Sequence, residues 1–361
     1  MTTSKDMEKY FLTALQPDPV VAWYFLKFWR EVVSKTGAHL YLFWSAGKSA
    51  QENLKDCVWL KDIRDYFYRE FTALPNVTWY EEGFACLRDK KYGGNFVTHS
   101  DAMDYMFGDV PENSILVSYD SDVWWWDLEK LQQYLNLIER DLYDIVGTTP
   151  AGCGVQIQDE VCKRQPPANI HPSFVILRTN EFRKVRPQSG VNAFGRPVRF
   201  RPYVWKAGDF ADQFNKTITE ETAADVFGWA SIELIDRLKL NRFYGIDPSP
   251  RYQEVYDEFI GESGWVHPAA TSSLMYIWWT LFTGQRDDVK KWTRKRAIFA
   301  VARQLLGLKQ LLNDKKFMKL PTAQACIDEA QNGLEYMCEV QRITKMDIQI
   351  MTNRILRNYP L

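Results

Sequence analysis

The sequence predicts an α/β fold, a sheet with helices covering its faces, and three observations point to it. Apolar runs of strand length alternate with longer amphipathic stretches through the first two-thirds of the chain. Several of those runs are apolar on both faces, as central parallel strands are. At 361 residues, 46% hydrophobic and 25% charged, the chain can also bury a sizeable core.

Taken in order, the expected strands are HLYLFW (39–44), VTWYEE (77–82), SILVSY (114–119), DIVGTT (144–149) and SFVILRT (173–179). Helical spacing of apolar residues fills the gaps between them, in PVVAWYFLKFWREVVSK (19–35), LKDIRDYFYREFTAL (60–74), HSDAMDYMF (99–107) and LEKLQQYLNLIERDL (128–142). After Gln188 the pattern loosens. The stretch SGVNAFGRPVRFRPYVWKAGDF, rich in Gly, Pro and Arg, reads as an ordered loop or small hairpins, and a helix-like segment follows from Ala223. From about Arg286 the chain reads as wholly helical, with a break at Pro321. A boundary near Thr283 to Asp287 divides residues 1–285 from a helical, basic extension, 286–361.

Composition narrows the chemistry. Six cysteines without a close CxxC pair and four scattered histidines indicate neither a zinc cluster nor a disulfide framework. The polar N-terminus, MTTSKDMEKYF, lacks a signal-peptide core, and the longest apolar run, SLMYIWWTLF (273–282), is too short for a span, so a cytoplasmic protein is expected. Aromatic residues reach 15%, with 14 Trp, which suits a large core or a surface that stacks on sugars or bases.

The informative stretch is SILVSYDSDVWWWD, residues 114–127. An apolar strand ends in Asp120 and Asp122, two like charges one residue apart. A divalent cation relieves that repulsion, because hard metals take oxygen ligands; a solvated turn after the strand is the plain alternative. In open α/β sheets, ligands collect outside the carboxyl ends of the strands, where this pair falls.

The order HSDAMDYMF, SILVSYDSDVWWWDLEKL, HPSFVILRTNEFRKV, DVFGWASIEL, GWVHPAATSS resembles that of the GT-A, Rossmann-like fold of nucleotide-sugar-dependent glycosyltransferases, over roughly residues 36–282. The resemblance implies a mixed, mainly parallel sheet flanked by helices, and a DxD motif binding a divalent metal and the sugar-nucleotide diphosphate. Asp120 and Asp122 match the DxD, and His267 matches the late histidine that often completes the metal site. Mn²⁺ or Mg²⁺ is the implied metal, the imidazole favouring Mn²⁺. The implied co-substrate is a nucleotide-sugar, a UDP-sugar in the first instance.

The same comparison gives Asp225 as the base of an inverting reaction, with Glu220 and Glu221 behind it; a carboxylate there is equally well placed to cap a helix. Donor contacts are implied for His99, for the Gly93-Gly94 pair, and for Phe43, Trp44 and Ser45. The last three depart from the acidic residue common there, which leaves the base of the nucleotide open. Trp124, Trp126 and Trp229 are candidate acceptor platforms, with core packing as the alternative.

Between Arg286 and Lys319 eleven basic residues, among them Lys290, Lys291, Arg294 and Lys295, face three acids. Ile298, Val301, Ala302, Leu305 and Leu312 form an apolar stripe beneath them, so a displayed basic face is expected, suited to nucleic acid or anionic lipid or simply solvated. The acceptor is then a glycan or lipid-linked saccharide, or a hydroxymethylated DNA base as in the phage and base J type of GT-A enzyme. A non-catalytic nucleic-acid or glycan-binding module with a vestigial core is the reading from another class.

Overall fold

The chain enters its sheet earlier than the hydrophobic pattern indicates. In the computed structural model, Lys9–Leu15 forms β1, inside a segment whose charged start masks it in sequence. The structure describes residues 7–15, 18–44, 58–81, 99–121, 123–125, 127–148, 170–191, 195–201, 203–205, 208, 210–211, 216–217, 222–223, 227–246, 265–266 and 294–358.

After β1 come α1 (Pro19–Thr36), β2 (His39–Trp44), α2 (Leu60–Thr72), β3 (Val77–Glu81), α3 (His99–Phe107), β4 (Ile115–Tyr119) and a two-residue β5 (Trp124–Trp125). Next are α4 (Leu128–Glu139), β6 (Ile145–Thr148), β7 (His171–Arg178) and α5 (Thr179–Arg183). The Gly- and Arg-rich stretch holds short strands, β8 (Gln188–Val191), β9 (Pro197–Val198), β10 (Val204–Trp205), β11 (Phe210–Ala211), β12 (Lys216–Thr217) and β13 (Thr222–Ala223), paired as small antiparallel ribbons. Then follow α6 (Gly228–Ile232), which continues as a π-turn over Glu233–Arg237, β14 (Phe243–Ile246), β15 (Trp265–Val266), α7 (Arg294–Asn313), α8 (Ala323–Val340) and α9 (Lys345–Asn358).

Local chemistry explains several boundaries. Asp18 caps α1 and Pro19 occupies its first turn, where a missing N–H costs nothing. Gly37 ends α1 in the left-handed conformation, φ 62°, which glycine adopts freely. Asp127 caps α4 by accepting from the N–H groups of Glu129 and Lys130. The helix expected from Ala223 starts at Gly228 instead, because Ala223 is held in β13 opposite Val204.

Seven strands form the main sheet in the order β14-β6-β7-β4-β1-β2-β3. β4, β1, β2 and β3 run parallel, as do β6 and β14, while β7 is antiparallel to both β4 and β6. The sheet is therefore mixed and mainly parallel. Strand alternation sends Phe11, Leu40, Leu42, Ile115, Val117 and Ile176 to one face, against α1, α2, α4 and α7–α9. Tyr10, Leu12, Phe43, Leu116 and Val175 point the other way, against α3, α5 and α6.

The C-terminal helices share the larger of these cores. Ile298, Val301 and Ala302 of the expected stripe are buried there beside Val20 and Tyr24 of α1, whereas Leu305 is half-buried and Leu312 exposed. The expectation of a uniformly displayed basic face fails at Arg303, which is 0% exposed and lies over the Tyr24 ring. Among the described residues, no helix is long and apolar enough to cross a membrane.

Candidate functional site at the carboxyl ends of β1 and β4

Connections leave β1 toward β2 on one side, while β4 lies on its other side. The strand order thus reverses between β1 and β4, and such a switch point opens a crevice outside the carboxyl ends of the strands. Leu12 pairs level with Ser118, so Asp120, two residues on, stands at the height of the last residues of β1. Asp120 is half-buried, and its carbonyl accepts from Val123 N–H at 3.1 Å, closing a tight turn over residues 120–123. Asp120, the first acid of the pair, opens that turn.

Beyond the turn, β5 pairs antiparallel with β15, with Trp124 opposite Val266 and Trp125 opposite Trp265. Val266 directly precedes His267, and Asp122 lies two residues before Trp124. Segments 140 residues apart in sequence therefore meet beside Asp120. Asp122 and His267 themselves lie outside the described residues, and among the described residues no group of three His, Cys, Asp or Glu side chains is placed to hold a metal. The donor set expected from the sequence, two carboxylates and one imidazole, is one that divalent cations accept.

At the carboxyl end of β1 lies a residue that the motif order does not point to. Asp18 begins α1 at the carboxyl end of β1, 1% exposed. Its Oδ1 accepts from Val20 N–H at 2.8 Å and Val21 N–H at 3.0 Å, and Gln304 Nε2 of α7 donates to Oδ2 at 3.0 Å. The two backbone N–H groups and the Gln304 amide all donate to the Asp18 carboxyl oxygens. Burial pushes this carboxyl up, opposed by the Val21 N–H, the nearby Arg303 charge, the Val20 N–H and Gln304. The Asp-Pro start before an amphipathic run was a legible cap signal; its link to α7 was not.

A second pair of buried acids sits behind the sheet on α3. Asp104, 3% exposed, accepts with Oδ1 from the N–H groups of Arg199 (2.8 Å) and Phe200 (3.2 Å), while its buried Oδ2 has no hydrogen-bond partner among the described residues. Burial pushes its pKa up to about 7, against the pull of those N–H groups and of Arg201. Asp101 takes the Arg201 guanidinium at 2.5 Å. Together they fasten the 199–201 strand of chain, whose Arg201 carbonyl accepts from Trp229 N–H at 3.0 Å.

The other expected contacts divide. Phe43 is 0% exposed within the smaller core and Trp44, 5% exposed, stacks on Trp79 and Phe67, so these rings serve packing and offer no open face to a nucleotide base. Burial follows from their position on β2, an interior strand covered on both faces. His99 opens α3, and Trp124 is placed in β5 by its backbone. Trp229 is half-buried, its Nε1–H donating to the Arg186 carbonyl at 2.8 Å and its ring stacked on Tyr203 at 6.0 Å. Helix α6 has Phe227 at its N-cap, without a side-chain bond from that residue. Arg294 and Lys295 are exposed at the start of α7, with Arg294 Nη2 bonded to Asp347 Oδ2 at 2.7 Å. Ser45, Gly93, Gly94, Trp126, Glu220, Glu221, Asp225, Lys290 and Lys291 lie outside the described residues.

No protein-family model and no curated protein matches the sequence. Among solved structures the chain is similar to a mannosyltransferase from Pyrobaculum calidifontis in complex with GDP-Man and Mn²⁺, at 9% identity and a TM-score of 0.43, covering 99% of this chain and 82% of that one. It is also similar to mouse xyloside xylosyltransferase 1, at 11% identity and a TM-score of 0.37 over 72% of this chain and 97% of that one. The galactosyltransferase LgtC, solved with donor and acceptor sugar analogues, matches at 9% identity and a TM-score of 0.36, over 76% of this chain and 95% of that one. All three are glycosyltransferases, the class that the order of motifs resembles.

Proposed function

We propose that this protein is a glycosyltransferase that binds a nucleotide-sugar and a divalent cation in the crevice between β1 and β4 and moves the sugar to an acceptor hydroxyl. The observation that carries this reading is the pairing of β5 with β15 beside the Asp120 turn. It sets the residue before His267 opposite a residue two beyond Asp122. The sequence neighbours of the candidate ligands therefore lie at one end of that ribbon, which supports choosing Asp120, Asp122 and His267. Asp120, Asp122 and His267 would hold Mn²⁺, or the acids Mg²⁺, and the ion when bound neutralises charge on a departing nucleoside diphosphate.

The remaining work falls to the chain. In the transfer, the acceptor oxygen bonds to the anomeric carbon while the bond from that carbon to the diphosphate oxygen breaks, and the electron pair leaves with the diphosphate. The hydroxyl proton needs a base. Asp225, in the connection between β13 and α6, is our candidate for an inverting reaction, with Glu220 and Glu221 as substitutes. His99, Gly93, Gly94 and Ser45 remain candidate donor contacts. Trp229, its indole fixed through Arg186, is suited to an acceptor platform, with Trp124 and Trp126.

For the acceptor we favour a glycan or lipid-linked saccharide over a DNA base. Part of the basic segment is engaged internally, with Arg303 buried, Arg294 on Asp347 and Lys316 on Glu70, which weakens the case for a backbone-gripping face. The test is a turnover screen of UDP- and GDP-sugars with Mn²⁺, each with and without hydroxymethylated DNA. Metal-dependent turnover supports the reading, and transfer to the DNA would move the acceptor to the base-modifying class. No turnover of any donor, with no nucleotide binding, would overturn it.

A further inference from the structure

Helix α9 buries one side and displays the other. Met351 and Ile355 pack into the larger core, while Met346 and Ile350, on the opposite side, are 68% and 53% exposed. A single exposed apolar side chain is ordinary, but these two are neighbours one turn apart on the outer ridge of the helix, and Leu356 is exposed on its flank. The charges around the ridge are of one sign. Lys345, Arg354 and Arg357 are exposed with it, and no acid stands three or four residues from any of them. The one acid of α9, Asp347, is turned aside to accept from Arg294 and Thr344. A basic face of the C-terminal region is thus displayed on α9, beyond the stretch in which the sequence leads one to expect it.

We propose that the outer face of α9 docks on an anionic lipid bilayer, with Met346 and Ile350 entering between the headgroups and Lys345, Arg354 and Arg357 lying on their phosphates. Two features of the face select this occupant. On a nucleic acid the apolar ridge would meet phosphates and water, whereas a bilayer surface offers anionic and apolar matter within a side chain's depth. Across a two-fold axis, a second copy would set this acid-free face against itself, basic against basic. Among the described residues no helix can cross a membrane, so the contact is peripheral. The inference stands independently of the nucleotide-sugar reading; where both hold, the acceptor is a lipid-linked saccharide presented at the bilayer.

Flotation of the full chain with vesicles tests this, using phosphatidylcholine alone and phosphatidylcholine mixed with phosphatidylglycerol, with duplex DNA binding and light scattering as separate arms. Binding is expected to the mixed vesicles alone, weakening as salt is raised. Lys345→Gln with Arg357→Gln should lower the partition coefficient about twentyfold, from about fivefold for each charge lost at an anionic surface. Met346→Ser with Ile350→Ser should lower it about tenfold at unchanged charge. All four side chains are exposed, so both double variants should keep the wild-type melting temperature. Absence of wild-type binding to the mixed vesicles would overturn the inference, as would binding that both double variants leave unchanged. A dimer that Met346→Ser with Ile350→Ser abolishes would give the face to a second copy and overturn it. Duplex binding lost in Lys345→Gln with Arg357→Gln, without vesicle binding, would give the face to nucleic acid and overturn it equally.

Discussion

Asp104 shows how one buried carboxyl links sequence to pH behaviour. Its folded pKa, about 7, lies above that of a carboxyl in the unfolded chain, so the native state holds a proton that the unfolded state has released. Stability from this group is full below about pH 4 and is lost as pH rises toward 7. Asp104→Asn keeps the acceptor for Arg199 and Phe200 N–H and cannot ionise. It should match wild type near pH 4 and exceed it at pH 8 by on the order of 4 kcal/mol, read from urea unfolding at the two pH values. An equal difference at both would show that Asp104 is charged throughout. For the proposed chemistry, Asp122→Ala should remove Mn²⁺-dependent nucleotide binding without lowering the melting temperature. Asp225→Asn should keep binding and lower transfer at least about a hundredfold, the usual share of a general base. Donor binding by Asp122→Ala at wild-type strength in Mn²⁺ would show that the acid pair is not the metal site.

At the scale of elements, the contact of α1 with α7 is the seam that joins the crevice to the C-terminal region. Gly307 makes it possible, since a Cβ there would run into the Val20 side chain and come within 3.2 Å of Tyr24. Gly307→Ala gains helix propensity, about 1 kcal/mol on an open helix, but forces the two helices apart. Overpacking is the larger effect because Val20 sits directly behind the Asp18 cap and has little freedom to yield. Net destabilisation of about 1 kcal/mol or more is expected in equilibrium unfolding. A more stable variant would mean that α7 can slide on α1. The β5–β15 ribbon is the other decisive element, and its two-residue strands have no hydrophobic periodicity to announce them.

Over the whole molecule, the three C-terminal helices and the sheet share one hydrophobic cluster, which contains Phe11 and Val117 of the sheet together with Val301, Leu311, Leu334 and Ile355. Removing residues 286–361 would expose the α1 face that α7 covers. A chain ending at residue 285 is therefore expected to lose its cooperative thermal transition, followed by near-ultraviolet circular dichroism. A sharp transition in the truncated chain would show that 1–285 folds by itself, and would make the extension an appended module.

The sequence by itself determined what rests on local pattern. Helix periodicity placed α1 to α4 within a few residues, and the apolar runs placed β2, β3, β4, β6 and β7, because side-chain direction follows from backbone period. The α/β class and the acids after β4 were legible from the same pattern, whereas the mixed, mainly parallel sheet was expected from the resemblance of motif order. What depends on contacts between distant segments was decided by the tertiary structure. β1 carries a polar start and counts as a strand only because β2 and β4 flank it; Phe43 and Trp44 are core because β2 is interior; and Arg303 is buried because α7 packs on α1, 279 residues away, with its guanidinium over the Tyr24 ring. A charge is tolerable inside a protein only beside its partner, and partners so far apart in sequence leave no local trace.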